Sequence, residues 1–341
     1  MGEEPKFWSE RYKVSHPSYW QGRSDAKEAL RFHERVQIID LEEGFSPSVK
    51  RSLNFGLIGF ACDEGVQRNQ GRAGAADGPN AIRRALAKLA VHLSDDTAVL
   101  DIGDVVCTDE DLEASQRGLA GVITRLHQEK IIPVIMGGGH EVAWGHYQGI
   151  VSARPMERVG IINIDAHFDL RPLPEDGRGN SGTPFTQIAK LRQESELPFD
   201  YLALGIQRYS NTSQLFKVAE ELGASYVTSS DFHERKTENI SNAIDRLLDE
   251  VDKVYVTICM DVFGAAFAPG ASAPQPTGLA PWQVIPWIQY LAKSGKVIGF
   301  ELAELSPPLD EDGRTAALAA HLIAHYMQSE ESTRKDTRMI V

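Results

Sequence analysis

The sequence is poor in cysteine, in positive charge and in long apolar runs. Its 341 residues include three cysteines, Cys62, Cys107 and Cys259, which are too few and too scattered for a disulfide framework and favour a reducing, cytoplasmic setting. Lys and Arg number 35 against 48 Asp and Glu, which gives a formal net charge of −13. That charge repels the phosphates of nucleic acids and of anionic membranes, so neither is expected as a partner.

Targeting signals and linkers are missing as well. Glu3 and Glu4 stand where a secretory signal needs positive charge, and no run reaches the roughly 18 apolar residues of a membrane span. The sequence has no internal repeat and no linker rich in Pro, Gly or Ser. We therefore predict a single domain over residues 1–341, with residues 1–50 as a polar, helical N-terminal extension. Its aromatic residues indicate that it packs against another surface: Trp8, Tyr12, Tyr19 and Trp20.

Short β-branched runs alternate with longer amphipathic segments along the rest of the chain, which is the pattern of α/β proteins. The runs predicted as strands are 55–61, 98–104, 131–136, 159–165, 201–206, 225–228, 253–260 and 296–303. The segments predicted as helices are 79–92, 111–128, 212–222, 240–251, 281–294 and 314–327. Several strand candidates are apolar on both faces, as in parallel strands that helices cover on each side. The sequence thus predicts a three-layer α/β/α fold with a mostly parallel sheet of roughly eight strands.

Potential metal ligands cluster where predicted strands end. The motif Asn163-Ile-Asp165-Ala-His167-Phe-Asp169 repeats Asp, His and Asp at every second residue, which places the three side chains on one side of an extended chain. Burying them without a cation would be costly, because each ionised carboxylate needs a partner that replaces water. The alternative is a pair of helix-capping aspartates with an incidental histidine.

Three further predicted strands end in similar groups. Gly137-Gly-Gly-His140-Glu141 closes what we expect to be a neighbouring strand, although alone it is also compatible with a simple loop or a phosphate-binding turn. Cys259 and Asp261 share one face at the end of another apolar strand, and Glu304 ends the last one. Since strand C-termini of a parallel sheet gather at one edge, these groups are predicted to converge there.

In this order, the motifs resemble those of the ureohydrolase superfamily, which contains arginase, agmatinase and formimidoylglutamase. The resemblance covers residues 55–326 and depends on Gly-Gly-Gly-His-Glu, Asp-Ala-His-Phe-Asp and Cys-Met-Asp-Val-Phe. It implies the arginase-like form of the predicted fold, and it implies that Glu304 holds the cationic nitrogen end of a substrate. Homo-oligomers are common in the superfamily, so assembly of this chain into one is an open alternative. The resemblance also implies ligands for a pair of Mn²⁺ ions: His140, Asp165, His167, Asp169 and Asp261.

One position departs from the superfamily pattern. Where its third motif reads Asp-x-Asp and the first Asp bridges two metals, this chain has Cys259-Met260-Asp261. A thiolate suits Zn²⁺ better than Mn²⁺, which prefers oxygen and nitrogen ligands. Three interpretations remain open: Cys259 ligates the metals and shifts their preference toward Zn²⁺, the site is weakened or mononuclear, or Cys259 is a buried thiol and activity is lost. A retained metal site is favoured because the other ligand positions match.

The chemistry implied by the resemblance is hydrolysis of a C–N bond in an amidine-like group. Two cations that share a water lower its pKa and supply a hydroxide at neutral pH. The hydroxide is expected to attack the amidine carbon, Asp169 to move a proton to the leaving amine, and Glu304 to orient the amidinium. His146 and Ser181 are minor candidates for proton transfer.

Two loops are expected to select the substrate. Residues 71–79 and 177–185 resemble those of formimidoylglutamases more than those of arginases or agmatinases. N-formimino-L-glutamate carries two carboxylates, which arginine binds through paired hydrogen bonds. The candidate substrate-binding residues are Arg72, Arg171, Arg178, Asn180, Ser181 and Glu304.

The sequence therefore predicts a metal-dependent hydrolase that converts N-formimino-L-glutamate to L-glutamate and formamide, a step of histidine breakdown. A rival within the superfamily is an agmatinase or guanidino-acid hydrolase that releases urea, for which acidic residues would be expected in place of Arg72 and Arg178. A rival of another class, motivated by Cys259, is a pseudoenzyme that binds metal without turnover.

Overall fold

The strands and helices follow the predicted alternation. The computed structural model describes residues 10–24, 30–46 and 51–339, with side chains to residue 335. The strands are β1 (Tyr12–Lys13), β2 (Gln37–Ile38), β3 (Leu53–Ala61), β4 (Thr97–Val106), β5 (Ile132–Met136), β6 (Val159–Ile164), β7 (Tyr201–Ile206), β8 (Ser225–Thr228), β9 (Lys253–Cys259) and β10 (Val297–Ala303). The helices are α1 (Phe32–Arg35), α2 (Glu64–Arg68), α3 (Gly78–Leu86), α4 (Leu112–Gln128), α5 (Val142–Ala153), α6 (Pro184–Glu194), α7 (Ser213–Glu221), α8 (Ser229–His233), α9 (Thr237–Glu250), α10 (Pro281–Lys293) and α11 (Arg314–Met339).

All ten strands form one sheet in the order β1-β4-β3-β5-β10-β9-β6-β7-β8, with β2 also paired to β4. Every pairing is parallel except that of β1 with β4. The eight predicted strands are all present, and the structure adds the two-residue strands β1 and β2. The prediction of a mostly parallel α/β sheet is confirmed.

Helices cover both faces of the sheet. Ile132, Val134 and Met136 of β5 belong to the apolar cluster that includes residues of α3, α9, α10 and α11. Ile135 belongs to the cluster on the opposite face, which includes residues of α4 to α7. Burying each such aliphatic side chain contributes about 1.5–3 kcal/mol, which explains strands that are apolar on both faces. Across the described residues, none of the helices combines the length and the apolar character needed to traverse a bilayer.

The N-terminal extension differs from the prediction. Within the described residues up to position 46, helix is limited to α1 and the 3-10 turn Pro17–Tyr19, so the expectation of a helical extension is wrong there. Strands β1 and β2 instead pair with the outer side of β4, because unpaired N–H and C=O groups of a strand edge attract further strands. Trp8 lies outside the described residues, and the single domain over 1–341 stays a prediction.

The extension packs on the chain's own core. The indole Nε1–H of Trp20 donates a 2.7 Å hydrogen bond to Asp101 in β4. Asp101 also accepts two hydrogen bonds from the fully buried Arg83 of α3, whose guanidinium reaches Asp104 at 2.6 Å. This buried ion-pair cluster joins the extension, α3 and β4, and it fixes the helix that follows the loop 71–77.

Replacing Arg83 is expected to destabilise the fold strongly. In Arg83→Met, the buried carboxylates of Asp101 and Asp104 lose their cationic partner, and we expect the free energy of unfolding to fall by about 3–5 kcal/mol. Urea denaturation followed by circular dichroism measures this change. The same substitution at Arg117, an exposed residue of α4, should change stability by about 0.5 kcal/mol at most. Equal effects of the two substitutions would contradict the importance of the buried cluster.

Candidate metal centre

Four adjacent strands carry the predicted ligands to one edge of the sheet. Asp165, His167 and Asp169 follow β6, and Cys259 with Asp261 closes β9. His140 and Glu304 follow β5 and β10. The expectation that the strand before His140 neighbours β6 is wrong, because β10 and β9 lie between them in the order β5-β10-β9-β6. Convergence at one edge is nevertheless found, since all four strands run parallel.

The first group of ligand types surrounds His140. Its Nδ1 lies 3.1 Å from Oδ2 of Asp165 and 2.9 Å from Oδ2 of Asp169. Ligand atoms of His140, Asp165 and Cys259 all lie within 4.8 Å of one another, and all three residues are buried. A single ion can therefore contact an imidazole, a carboxylate and a thiol here.

A second group shares one member with the first. Ligand atoms of Asp165, His167 and Asp261 also lie within 4.8 Å of one another. His167 Nδ1 is 3.1 Å from Asp261 Oδ2 and 3.6 Å from Asp165 Oδ1. Because Asp165 belongs to both groups, the arrangement has the donor set for two cations with one carboxylate between them.

The turns that present these side chains are strained. Asp169 and Glu304 have positive φ values of 48° and 69°, in the left-handed region that residues with a side chain rarely adopt. Hydrogen bonds hold the Glu304 turn against the glycine motif: Glu304 N–H donates to the carbonyl of Gly138 at 2.8 Å, and His140 N–H donates to Glu304 Oε1 at 3.0 Å. A Cβ at Gly138 would overlap the carbonyl oxygen of Cys62, so glycine is needed at that position.

The electrostatics of the centre call for cations. Within the described residues, the carboxylates of Asp165, Asp169 and Asp261 form ion pairs with histidine only. Asp261 Oδ1 is a buried polar atom without a hydrogen-bond partner in that part of the chain. Such atoms are costly to bury unless something else contacts them, and oxygen and nitrogen ligands of this kind suit Mn²⁺. The residues present therefore fit a divalent metal.

The titration behaviour of the centre reflects its charge. Burial opposes the charged imidazoles, but the neighbouring aspartates outweigh it and raise the pKa of His140 and of His167 well above the usual histidine value. Burial raises the pKa of Asp169 and of Asp261, and it raises that of Glu304 to about 8. Without metal, the centre therefore compensates its negative charge by holding protons.

Cys259 occupies the interior of the centre. It is 2% exposed, and burial followed by the charge of Asp165 raises the pKa of its thiol well above the usual value. All three cysteines are free, in agreement with the absence of a disulfide framework.

The predicted substrate residues have unequal surroundings. Arg72 donates to the carbonyls of Ala271 and Ser272, and Arg178 is exposed with its Nε 3.9 Å from Glu113. Over the residues that can be described, the guanidinium of Arg171 has no hydrogen-bond or ion-pair partner; its stem packs on Gly182.

The other two polar candidates support the loop itself. Asn180 Oδ1 accepts from Gly182 N–H, and Ser181 Oγ accepts from Asn69 Nδ2 at 3.1 Å. Both residues are buried. They are therefore already engaged in holding the loop that follows Asp169.

Several residues that support the centre or the loop after Asp169 were not predicted from the sequence. Glu301 lies in the middle of β10 and is fully buried. Thr257 of β9 donates to it and contacts His140 Nε2. Arg68 binds the carbonyl of Gly179 and the carboxylate of Glu113. The available signal for Glu301 was a carboxylate within the otherwise apolar run Val-Ile-Gly-Phe-Glu-Leu-Ala.

The α/β/α fold and this cluster of histidines and carboxylates are features of a class of metal-dependent hydrolases. The chain belongs to the arginase family, whose model matches residues 53–328. The predicted resemblance to the ureohydrolases, the superfamily of arginase, is thereby confirmed.

Formimidoylglutamases are among the proteins that this chain is similar to. That of Legionella pneumophila (strain Paris) is 42% identical over 318 residues, which are 93% of this chain and 98% of the relative. That of Geobacillus thermodenitrificans is 44% identical over 313 residues, 91% and 94% of the two chains. The crystal structure of Bacillus subtilis formimidoylglutamase matches with a TM-score of 0.79 and 22% identity over 91% and 94% of the chains, which shows the fold. A variant of Trypanosoma cruzi formiminoglutamase solved with Mn²⁺ matches with a TM-score of 0.75 and 25% identity over 84% and 96%.

Metal affinity is expected to depend on pH. Because the metal-free centre raises the pKa of His140 and His167, protons compete with metal at and above the usual histidine pKa of about 6.5. Affinity for Mn²⁺ should therefore be fully developed above the raised values and fall as pH decreases, by up to about tenfold per pH unit for each proton displaced. Calorimetric titrations in buffers of different ionisation enthalpy measure the affinity and the number of protons released on binding. An affinity that is constant between about pH 6 and about pH 8, without proton release, would contradict this linkage.

Proposed function

We propose that this chain hydrolyses N-formimino-L-glutamate to L-glutamate and formamide, the reaction predicted from its motifs. The observation that carries the proposal is the identity of 41–44% to formimidoylglutamases over more than nine-tenths of the chain. The buried ligand cluster at the sheet edge is consistent with it, since an amidine carbon is a weak electrophile that needs an activated nucleophile.

The residues proposed to hold the metal are those predicted from the sequence. His140, Asp165, Asp169 and Cys259 surround one position, and Asp165, His167 and Asp261 surround the other. Mn²⁺ is the proposed ion, supported by the oxygen and nitrogen donors and by the Mn²⁺ of the Trypanosoma cruzi protein. Bound there, the metal pair would lower the pKa of a shared water so that a nucleophile is available at neutral pH.

The protein's own side chains orient the substrate and move the proton. Glu304 is buried beside His140, and its carboxylate is proposed to accept N–H groups of the formimino end. Asp169 is partly exposed, with 14% of its side chain accessible. It is therefore the carboxylate proposed to carry a proton to the departing amine nitrogen of glutamate.

Arg171 is the proposed partner for a substrate carboxylate. It follows Asp169 by two residues, it is exposed, and its guanidinium has no partner within the described residues. An arginine fork binds a carboxylate with two parallel hydrogen bonds. Arg72, Arg178, Asn180 and Ser181 remain proposed contributors, and their present hydrogen bonds also support the surrounding loops.

A cytoplasmic location is proposed together with this activity. Three free thiols agree with a reducing environment. Assembly into a homo-oligomer stays a prediction.

The activity is tested by supplying metal-stripped protein with Mn²⁺ or Zn²⁺ and measuring formamide and glutamate from formiminoglutamate. Agmatine and guanidinobutyrate serve as control substrates, with urea as their product. Metal-dependent release from formiminoglutamate alone is the expected result. Urea release would favour the guanidino-compound rival, and folded, metal-loaded protein that is inactive with every substrate would favour the pseudoenzyme.

Replacing Arg171 should weaken substrate binding. Arg171→Gln removes the proposed partner of a substrate carboxylate, and we expect KM for formiminoglutamate to rise by about 10- to 100-fold with a smaller change in kcat. Steady-state kinetics in Mn²⁺ measures both constants. Arg117→Gln, on an exposed part of α4, provides the matched control. An unchanged KM in Arg171→Gln would remove Arg171 from the binding site.

Replacing Cys259 should alter metal preference. Cys259→Asp exchanges a soft sulfur donor for oxygen, so the ratio of Mn²⁺ to Zn²⁺ affinity should rise by about tenfold or more. Competition titrations with a metal indicator measure both affinities. An unchanged ratio would show that the thiol does not contact the metals, and a large gain in activity would support a pseudoenzyme in the native chain.

A further inference from the structure

A chain of buried hydrogen bonds extends from His140 away from the ligand cluster. His140 Nε2 lies 3.0 Å from Thr257 Oγ1, and the Thr257 hydroxyl donates to Glu301 Oε1 at 2.8 Å. The Tyr255 hydroxyl donates to the same oxygen at 2.7 Å, and His146 Nδ1 lies 2.9 Å from Glu301 Oε2. All five side chains are buried. Exchange of these contacts for water is therefore excluded, and each group depends on its protein partner.

The donors and acceptors in this series of hydrogen bonds all follow one direction, toward Glu301. The hydroxyls of Tyr255 and Thr257 both donate to Oε1 of Glu301, and Nδ1 of His146 contacts Oε2 of the same group. A threonine hydroxyl has one proton, and Thr257 gives it to Glu301. Its oxygen must then accept from His140, so the proton of the His140 imidazole is on Nε2. In the neutral imidazole, which is the form that binds metal, the lone pair is then on Nδ1, the atom that lies 3.1 and 2.9 Å from Asp165 and Asp169.

We propose that Glu301 is a positioning residue that, through Thr257, fixes the tautomer and orientation of His140 so that Nδ1 faces the metal. The inference builds on the metal centre of the proposed function, but its readout is metal binding and not hydrolysis. Histidines that ligate metals commonly donate their second N–H to a neighbouring group, which sets the nitrogen that binds. Here the group is a hydroxyl whose own direction is imposed by a buried carboxylate.

The pairing of strands in the sheet brings Glu301 and Thr257 together. Glu301 and Thr257 are opposite one another in the parallel register of β10 and β9. β10 lies between β9 and β5, the strand that carries His140. On the far side of Glu301, a Cβ at Gly299 would collide with Nε2 of His146, so a glycine in β10 lets His146 reach the carboxylate.

The test compares two matched pairs of variants. Glu301→Met and Thr257→Val keep approximate size but remove the acceptor or the hydroxyl, whereas Glu301→Gln and Thr257→Ser keep them. In Glu301→Gln the amide oxygen can accept both hydroxyls while its NH₂ donates to His146 Nδ1. We expect Glu301→Met and Thr257→Val to weaken Mn²⁺ binding by about 10- to 100-fold. The conservative variants Glu301→Gln and Thr257→Ser should change it by about threefold at most. Competition titrations measure affinity, and thermal melts verify folding.

A second measurement does not depend on the Glu301 and Thr257 variants. In the wild-type protein labelled with ¹⁵N-histidine and loaded with Zn²⁺, long-range ¹H–¹⁵N spectra report which imidazole nitrogen of His140 carries the proton, and His140→Asn provides the assignment. A proton on Nε2 is expected, and a proton on Nδ1 would overturn the proposal even if the Met and Val variants failed to fold.

The two proposals fail in different ways. Wild-type affinity for Mn²⁺ in folded Glu301→Met and Thr257→Val would overturn the role of Glu301 while leaving hydrolysis of formiminoglutamate intact. A wild-type protein that binds Mn²⁺ but hydrolyses no substrate would overturn the proposed function, and weakened Mn²⁺ binding in the two variants would still support the role of Glu301.

Discussion

The burial of negative charge at one edge of the sheet is the constraint that organises this protein. Asp165 is inaccessible to solvent and Asp261 nearly so, and their ionic partners among the described residues are histidines. Neither imidazole can be both a cation and a metal ligand, so protons and metal ions compensate the same charge in turn. The raised pKa of His140 follows from that single requirement, and so does Asp261 Oδ1, which has no hydrogen-bond partner in the part of the chain that is described.

The fold meets this requirement through strand order more than through local structure. β10, the last strand in the chain, inserts between β5 and β9 and contributes Glu301 beneath the centre and Glu304 beside it. The two carboxylates differ in surroundings: Glu301 receives three hydrogen bonds, whereas burial raises the pKa of Glu304 to about 8. One strand thus supplies both Glu301, proposed to support the ligand His140, and Glu304, proposed to contact the substrate.

Features that depend on short sequence separation were accessible from the sequence. Asp165 and His167 were found because residues at period two lie on one side of an extended chain. The eight main strands were found because strands buried on both faces are continuously apolar. The confirmed membership in the arginase family follows from motifs that are equally local in character.

Features that depend on contacts between distant segments could not be predicted from the sequence. A sequence carries no direct record of sheet order, so β5 and β6 were wrongly taken as neighbours. The extension was expected to be helical, although the edge of β4 and the hydrogen bond of Trp20 to Asp101 hold it in another form. The contact of Glu301 with Thr257 could not be predicted, because it depends on the pairing of β10 with β9.

The central claim, that the buried carboxylates form a shared metal site, is tested most directly by anomalous diffraction from crystals grown with Mn²⁺. The account predicts two anomalous peaks on either side of Asp165, one beside His140 and one beside His167. Ordered side chains at this edge of the sheet with no anomalous peak among them, at saturating Mn²⁺, would contradict it.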